Sequence, residues 1–385
     1  KDGKLVLLGV TQEQHPERCR LFAQWKQFGW PILHDPINVL GASAVPIVVA
    51  IDEHGIVRST RPASDTFEAD FLNQAFPDEA THTPSSPTPK HPPAFDDLKD
   101  NASSGNSAPA WRQYGDALAL WGGEDRLSEA IAAYRNATTC DAADGPAWFR
   151  LGVCLRRRSE LSFKESDDFR KAVESWGTAL ELDPNQYIWR RRIQQYGPRL
   201  DKPYPFYDWV PEAEEAIRLR GETPESLPVR PDGAEIAGPL RVFAAQKEPR
   251  TNPDPDGKVM RDAGSVISQV VLVPARVPAG QSVRVHLNFR LTAGTSDHWN
   301  NEAEPLRLWV NPPDGYAVSE QLLAAELPKA AVSSEERTVG FEIKVPSDAS
   351  GIVRIPAYAL YHLCEDRQGL CRFVRLDVDI EVEVR

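Results

Sequence analysis

The 385-residue sequence predicts a multidomain protein in which an α/β segment, an all-α block and an all-β antiparallel sandwich follow one another. Three observations predict it. Short apolar runs alternate with a helical stretch over residues 1–76, a set of small and aromatic positions recurs over 110–225, and apolar residues alternate with polar ones over 234–385. At this length the chain has room for about two to four domains, each with its own core.

In the first segment, Leu5-Val6-Leu7-Leu8-Gly9-Val10 is apolar throughout, as expected of a strand buried on both faces. A helix is expected from about Pro16 to Phe28, with Pro16 at a favoured first-turn position. Pro31-Ile32-Leu33 reads as a second strand and Ile47-Val48-Val49-Ala50-Ile51 as a third. The turn Asp52-Glu53-His54-Gly55 leads into Ile56-Val57-Arg58, and a last helix is expected over about Thr66–Gln74. Residues 77–109 hold seven prolines among many Ser, Thr and Asn, a composition that buries too little apolar area to offset chain entropy. They read as a disordered linker.

Within 110–225, Trp111, Tyr114 and Gly115 are matched by Trp148, Leu151 and Gly152. Ala130, Tyr134 and Ala137 are matched by Ala172, Trp176 and Ala179, and Pro184 closes the second unit. Small residues where helices cross, with aromatics between them, resemble the tetratricopeptide repeat, here with lengthened inter-helix loops. A third, eroded unit is expected from Tyr187 to Gly221. Such a block implies a concave groove for a protein partner.

In the last segment Val283, Val285, Leu287, Phe289 and Leu291 alternate with Arg284, His286, Asn288 and Arg290, one face buried and one wet. Val339, Phe341, Ile343 and Val345 repeat the pattern. So do Leu376, Val378, Ile380, Val382 and Val384, opposed by Asp377, Asp379, Glu381 and Glu383.

A net charge of -12 argues against a nucleic-acid partner, which requires a basic face. No apolar run approaches the roughly 20 residues of a membrane span. The chain opens on Lys1-Asp2-Gly3-Lys4, without an initiator methionine or signal stretch, so it reads as processed or as part of a longer protein. No serine-protease order, Walker loop or dinucleotide fingerprint is present, and neither a cofactor nor a metal is expected. Asn252-Pro253-Asp254-Pro255-Asp256-Gly257 imitates a calcium loop, but Ala263 stands where its bidentate Glu belongs, so it reads as a turn. Arg190-Arg191-Arg192 reads as a solvated helix face, and Trp299, Trp309 and His298 as core or edge packing.

The first segment resembles the later part of the thioredoxin/redoxin family, in its peroxiredoxin-like and cytochrome-maturation branches. The likeness rests on Leu7-Leu8-Gly9-Val10, on Pro31-Ile32-Leu33-His34-Asp35-Pro36, and on Ala44-Val45-Pro46-Ile47 followed by Ile51-Asp52-Glu53-His54-Gly55. It implies a cis proline at Pro46 facing a dithiol, with Val45 offering its backbone to an extended substrate. The family's first strands and Cys-x-x-Cys helix have no counterpart in residues 1–76. A gap or unpaired strand edges are therefore expected where the dithiol-bearing strand would lie. Cys19 falls inside a helix and reads as a small buried hydrophobe, as do Cys140 and Cys154 in the repeats. His15 and Cys19, four apart, make too small a set to argue for a metal.

The final segment resembles the N-terminal periplasmic domain of the membrane disulfide reductase DsbD. His298-Trp299-Asn300 before Pro305-Leu306-Arg307-Leu308 carries the likeness, as does Pro356-Ala357-Tyr358-Ala359-Leu360-Tyr361 running into the Cys364…Cys371 hairpin. The resemblance implies a cysteine pair that shuttles electrons and makes the periplasm the expected compartment. Cys364 ends one strand and Cys371 begins the next, within disulfide reach across the hairpin; a redox centre, a structural staple and two idle thiols are all readings of that pair. Arg367, Arg372 and His362 would favour a thiolate there, and Glu365 and Asp366 would oppose it.

The function expected is thiol–disulfide exchange on a protein dithiol or disulfide, with Cys364 and Cys371 catalytic and Val45 and Pro46 binding substrate. The rival is a non-catalytic adaptor that keeps a degenerate thioredoxin-like unit and binds partners through its repeats.

Overall fold

Pro16 brings a preset φ and no N–H to leave unpaired, and the first helix starts there. The computed structural model describes residues 5–77, 93–199, 206–236, 251–365 and 370–385. It shows a mixed α/β chain divided into two units, Lys1–Arg191 with Val210–Val229, and Arg192–Trp209 with Arg230–Arg385.

In the first unit, β1 (Gly9–Thr11) and β2 (Ile32–His34) flank α1 (Pro16–Lys26) and pair in parallel. β3 (Ala50–Ile51) pairs antiparallel with β4 (Val57–Ser59) about a turn built by Asp52. The Asp52 carboxylate accepts the N–H groups of His54 and Ile56 at 2.9 Å and the Arg58 Nε–H at 2.6 Å. A single π-helical turn, Glu68–Leu72, stands where a longer helix was expected. The strands expected over Leu5–Val10 and Ile47–Ile51 are cut to their last residues. Among the described residues each ladder has two strands and no further neighbour, and Leu5–Leu8 and Ile47–Val49 stay out of sheet structure, with Val6 77% and Val48 58% exposed.

The helices are α2 (Phe95–Gly105), α3 (Ala108–Trp121), α4 (Leu127–Cys140), α5 (Gly145–Arg158), α6 (Asp168–Leu182), α7 (Tyr187–Gln194) and α8 (Val210–Leu219). Where the composition reads as linker, α2 forms and packs on α3 with Ala102 fully buried; tertiary contact overrides weak local propensity there. Residues 78–92 of that expected linker lie outside the described residues.

The next four helices repeat one construction. Ser107 caps α3 and Asp144 caps α5, each followed by a proline in the first turn. A Cβ on Gly115 would stand 2.7 Å from the Tyr134 ring, and one on Gly152 would stand 2.4 Å from the Trp176 indole nitrogen. The matched glycines thus let α3 approach α4, and α5 approach α6, closely enough for an aromatic side chain to lie across the helix. Ala130, Ala137, Ala172 and Ala179 are all fully buried. Between α5 and α6 the buried Arg158 guanidinium forks onto Asp168, at 2.6 and 2.9 Å. α8, in the stretch expected to hold a third repeat, packs against α1.

The second unit is built of β5 (Val266–Val273), β6 (Arg276–Val277), β7 (Ser282–Leu291), β8 (Asp297–Asn300), β9 (Arg307–Val310), β10 (Ala317–Val318), β11 (Leu322–Ala324), β12 (Val332–Ser333), β13 (Arg337–Lys344), β14 (Gly351–Glu365) and β15 (Leu370–Val384). One sheet runs β10-β13-β7-β5; the other runs β11-β9-β14-β15-β6, with β8 beside the far half of β14 and β12 beyond it. Leu287, Phe289 and Phe341 from the first sheet and Leu308, Ile355 and Ile380 from the second enter one hydrophobic cluster.

The face of β7 expected to be wet is partly covered. Arg284 and, on β13, Glu342 are buried beneath the segments 196–199 and 232–235. There the Arg199 N–H donates to Glu342, Asp232 pairs with Arg284 at 3.0 Å, and His286 bonds the Tyr196 carbonyl at 2.8 Å. Arg192 is also buried, so the arginine triplet is no uniform solvated face.

Candidate functional site

β14 and β15 pair over fifteen rungs, and the register that sets Ile355 opposite Ile380 in the core also sets Cys364 opposite Cys371. The two cysteines form a disulfide with a Cα–Cα distance of 4.0 Å. Side chains alternate across a sheet, so the pair lies on the face opposite the core residues Leu363 and Tyr361. β8 continues the same rung on the other side of β14, placing His298 opposite Cys364. Two rungs along, on the same face, His362 stacks on Phe373, with ring centroids 4.6 Å apart.

The two halves of the bond differ in access. Cys364 is buried and Cys371 exposed. The exposed half of the bond is therefore the one on β15.

The surroundings are held by polar contacts. Arg372, expected to assist a thiolate, is bound to Asp297 at 2.6 Å, so its charge is already matched by a carboxylate. Ser296 donates to Glu365 at 3.4 Å. Burial pushes the His362 imidazole below its ordinary value, and Arg307 adds to that while Glu304 opposes it. The expected contributors Asp366 and Arg367 lie outside the described residues. Trp299 sits in the core, its indole N–H donating to the Glu335 carbonyl at 2.8 Å, and Trp309 packs with Tyr358 and Leu360.

Val45 and Pro46 belong to the first unit, and their peptide bond is cis. Two of that unit's thiols are disfavoured as thiolates by burial. Burial pushes Cys19 up to about 11, and its sulfhydryl lies 3.3 Å from the Thr11 hydroxyl. Burial pushes Cys154 up to about 12. His15, four residues before Cys19, meets Glu160 at 2.7 Å. The 252–257 stretch is a turn: the Asp254 carboxylate accepts the Lys258 and Val259 N–H groups and binds Arg375 at 2.8 Å.

A second constellation escaped the sequence reading. Arg150, on α5, donates through Nε to the Ile37 carbonyl at 3.2 Å and through a terminal nitrogen to the Asn38 carbonyl at 3.4 Å. Its other terminal nitrogen reaches both oxygens of Asp116 on α3, at 2.7 and 2.9 Å, and the Tyr134 hydroxyl donates to the same carboxylate. The available signal was an arginine between Phe149 and Leu151 in an otherwise apolar stretch of helix.

No family model matches the chain, and no curated protein matches it significantly. Among solved structures the chain has weak likeness to AvmM, which catalyses macrocyclisation in alchivemycin A biosynthesis, at 10% identity over 32% of this chain and 95% of that one, TM-score 0.21. It has weak likeness also to the sporulation control protein Spo0M from Bacillus subtilis, at 14% identity over 32% and 51%, TM-score 0.16. A third is the alkylpurine DNA glycosylase AlkC of Pseudomonas fluorescens bound to DNA containing an abasic site analogue, at 12% identity over 77% and 82%, TM-score 0.17. Likeness at this level carries no argument about fold or function.

Proposed function

We propose that this chain is a thiol–disulfide exchange protein, with the Cys364–Cys371 pair as its redox centre. It combines a thioredoxin-like segment, tetratricopeptide-like helix pairs that bind a protein partner, and an antiparallel sandwich of the type found in the N-terminal domain of DsbD. The observation that carries the reading is the disulfide on the outer face of β14 and β15, one sulfur residue buried and the other exposed. A disulfide open to attack from one side only is suited to ordered exchange. A substrate thiolate attacks the Cys371 sulfur, the S–S bond breaks, and its electron pair leaves on Cys364. A second substrate thiolate then attacks the substrate sulfur of the mixed disulfide and releases Cys371. The protein ends as a dithiol and the substrate as a disulfide; the reverse sequence reduces a substrate. Val45 and Pro46 serve as the turn against which an extended substrate lies, and the resemblance to an extracytoplasmic domain favours the periplasm.

The test is insulin reduction by the full chain, reduced beforehand with dithiothreitol, beside Cys364→Ser and Cys371→Ser. Both substitutions are expected to abolish turnover. Activity unchanged in either one removes the hairpin from the mechanism.

One observation favours the rival reading for the first unit. Cys19 and Cys154, both held up by burial, are poor nucleophiles, which suits a non-catalytic adaptor with a degenerate thioredoxin-like segment. Inactivity of the unsubstituted chain in the same assay selects that reading.

A further inference from the structure

The helical block was expected to offer a concave groove, and one face of it carries a segment of the same chain. Residues Asp35–Ala42 form a turn with its own internal bonds. The Asp35 carboxylate accepts the N–H groups of Val39 and Leu40 at 2.8 and 3.2 Å. Asn38 takes a left-handed φ of 51°, which asparagine tolerates better than most residues. Its side chain closes the turn in both directions, donating to the Ala42 carbonyl and accepting the Ala42 N–H, each at 2.9 Å. So braced, the turn presents two successive carbonyls, of Ile37 and Asn38, to the Arg150 guanidinium.

The receiving side is equally fixed. Asp116 holds Arg150 by both carboxylate oxygens, and Tyr134 holds Asp116. That tyrosine is the side chain lying against Gly115, so helix packing positions the arginine. Ile37 itself is 1% exposed. A second anchor stands at Gln14 and His15. Gln14 donates to the Val153 carbonyl of α5 at 3.4 Å, and His15 meets Glu160 at 2.7 Å.

We propose that the face formed by Asp116, Arg150, Val153 and Glu160 is a recognition site for a turn that displays paired main-chain carbonyls, and that Asp35–Ala42 occupies it as a resident ligand. A protein partner with the same chemistry enters only by displacing it. This inference uses neither the disulfide nor the exchange reaction, and the insulin assay above does not bear on it.

The experiment uses the full chain and a fluorescent synthetic peptide copying residues 12–43. Ile37→Asp disables the resident turn while leaving the helical face intact. That variant is expected to bind the peptide at least tenfold more tightly than the unsubstituted chain, and adding Arg150→Met is expected to remove the gain. Equal binding by the two chains, absence of binding by the variant, or a gain that survives Arg150→Met overturns the proposal. Hydrogen exchange on Arg150→Met alone provides a readout that does not depend on the peptide. Residues 9–41 should exchange faster while α3, α4, α5 and α6 keep their protection. Unchanged exchange in 9–41, or joint loss of protection with the helices, also overturns it.

Discussion

Two stretches of this chain are rich in apolar residues with extended backbone, and they end differently. Over residues 5–51 the runs LVLLGV and IVVAI are apolar on both sides, most of their side chains remain exposed, and only their last residues enter short two-stranded ladders. Over 266–384 the strands alternate, and each buries one side in a cluster shared by two sheets. The difference lies in what each pattern demands. An alternating strand needs one covering layer, and the second sheet supplies it. A strand apolar on both faces needs a layer on each and hydrogen-bonding neighbours at both edges. The described residues supply the first unit with neither in full.

The largest effect expected is the one that tests this contrast directly. Phe289→Ala empties a fully buried site in β7 and should cost about 3–5 kcal/mol, read as lost hydrogen-exchange protection across β7 and β13. Val48→Ala removes a larger share of its residue's apolar surface from solvent than from any core, and should stay within about 0.5 kcal/mol. A cost at Val48 like that at Phe289 would mean the run is buried in solution, and the contrast would fall.

Reduction of Cys364–Cys371 is the next largest. So short a closed loop should be worth about 2–3 kcal/mol, measured as the shift in urea unfolding of the second unit with and without dithiothreitol. A loss greater than that of Phe289→Ala would make the staple, and not the alternating pattern, the reason this unit closes.

The sequence was most informative where structure repeats with a local period. The glycine and aromatic positions of the helix pairs, the three alternating strands and the hairpin cysteines are all separated by intervals that geometry dictates. The start of α1 followed from Pro16 alone. Contacts between distant parts of the chain carry no such period. Arg150 is 113 residues from Ile37 in sequence, and His15 is 145 from Glu160. The burial of Arg284 likewise depends on a segment more than fifty residues before it, with which it pairs through Asp232. Helix α2 was hidden for a related reason: Ala102 is buried only because α3 lies against it, and its surroundings of Asp, Asn and Ser favour turns when taken alone.

Gly152→Ala sharpens the comparison from the helical side. The added methyl would press on the Trp176 indole, which is fully buried and has no room to turn, so a loss of about 1–3 kcal/mol is expected in the thermal unfolding of the first unit. Gly177→Ala, on α6 with open space about it, is the control and should stabilise slightly. Equal effects at the two positions would show that close helix approach is not what the repeated glycines provide.

The smallest effect belongs to His15 and is a matter of pH. Its Nε2 lies 2.7 Å from Glu160, and its Nδ1 lies 3.8 Å from Glu13, near enough to act by charge though too far for a hydrogen bond. Burial pushes the imidazole down, but Glu13 and Glu160 outweigh burial and the opposing Arg18 and leave it above its ordinary 6.5. Burial pushes Glu160 up, and Arg156, at 2.8 Å, with His15 and Arg18 more than reverses it. The signs then follow. The imidazolium's contribution is complete below the unfolded value of 6.5 and is lost as pH rises through the raised folded value. The Glu160 contribution is complete above its ordinary 4.5 and is lost as pH falls through its lowered value. Between those limits residues 9–41 should be most protected from hydrogen exchange. The excess protection over His15→Gln should shrink as pH climbs from 6 toward 9, and a difference that stays constant over that range would show that the imidazole does not titrate within it.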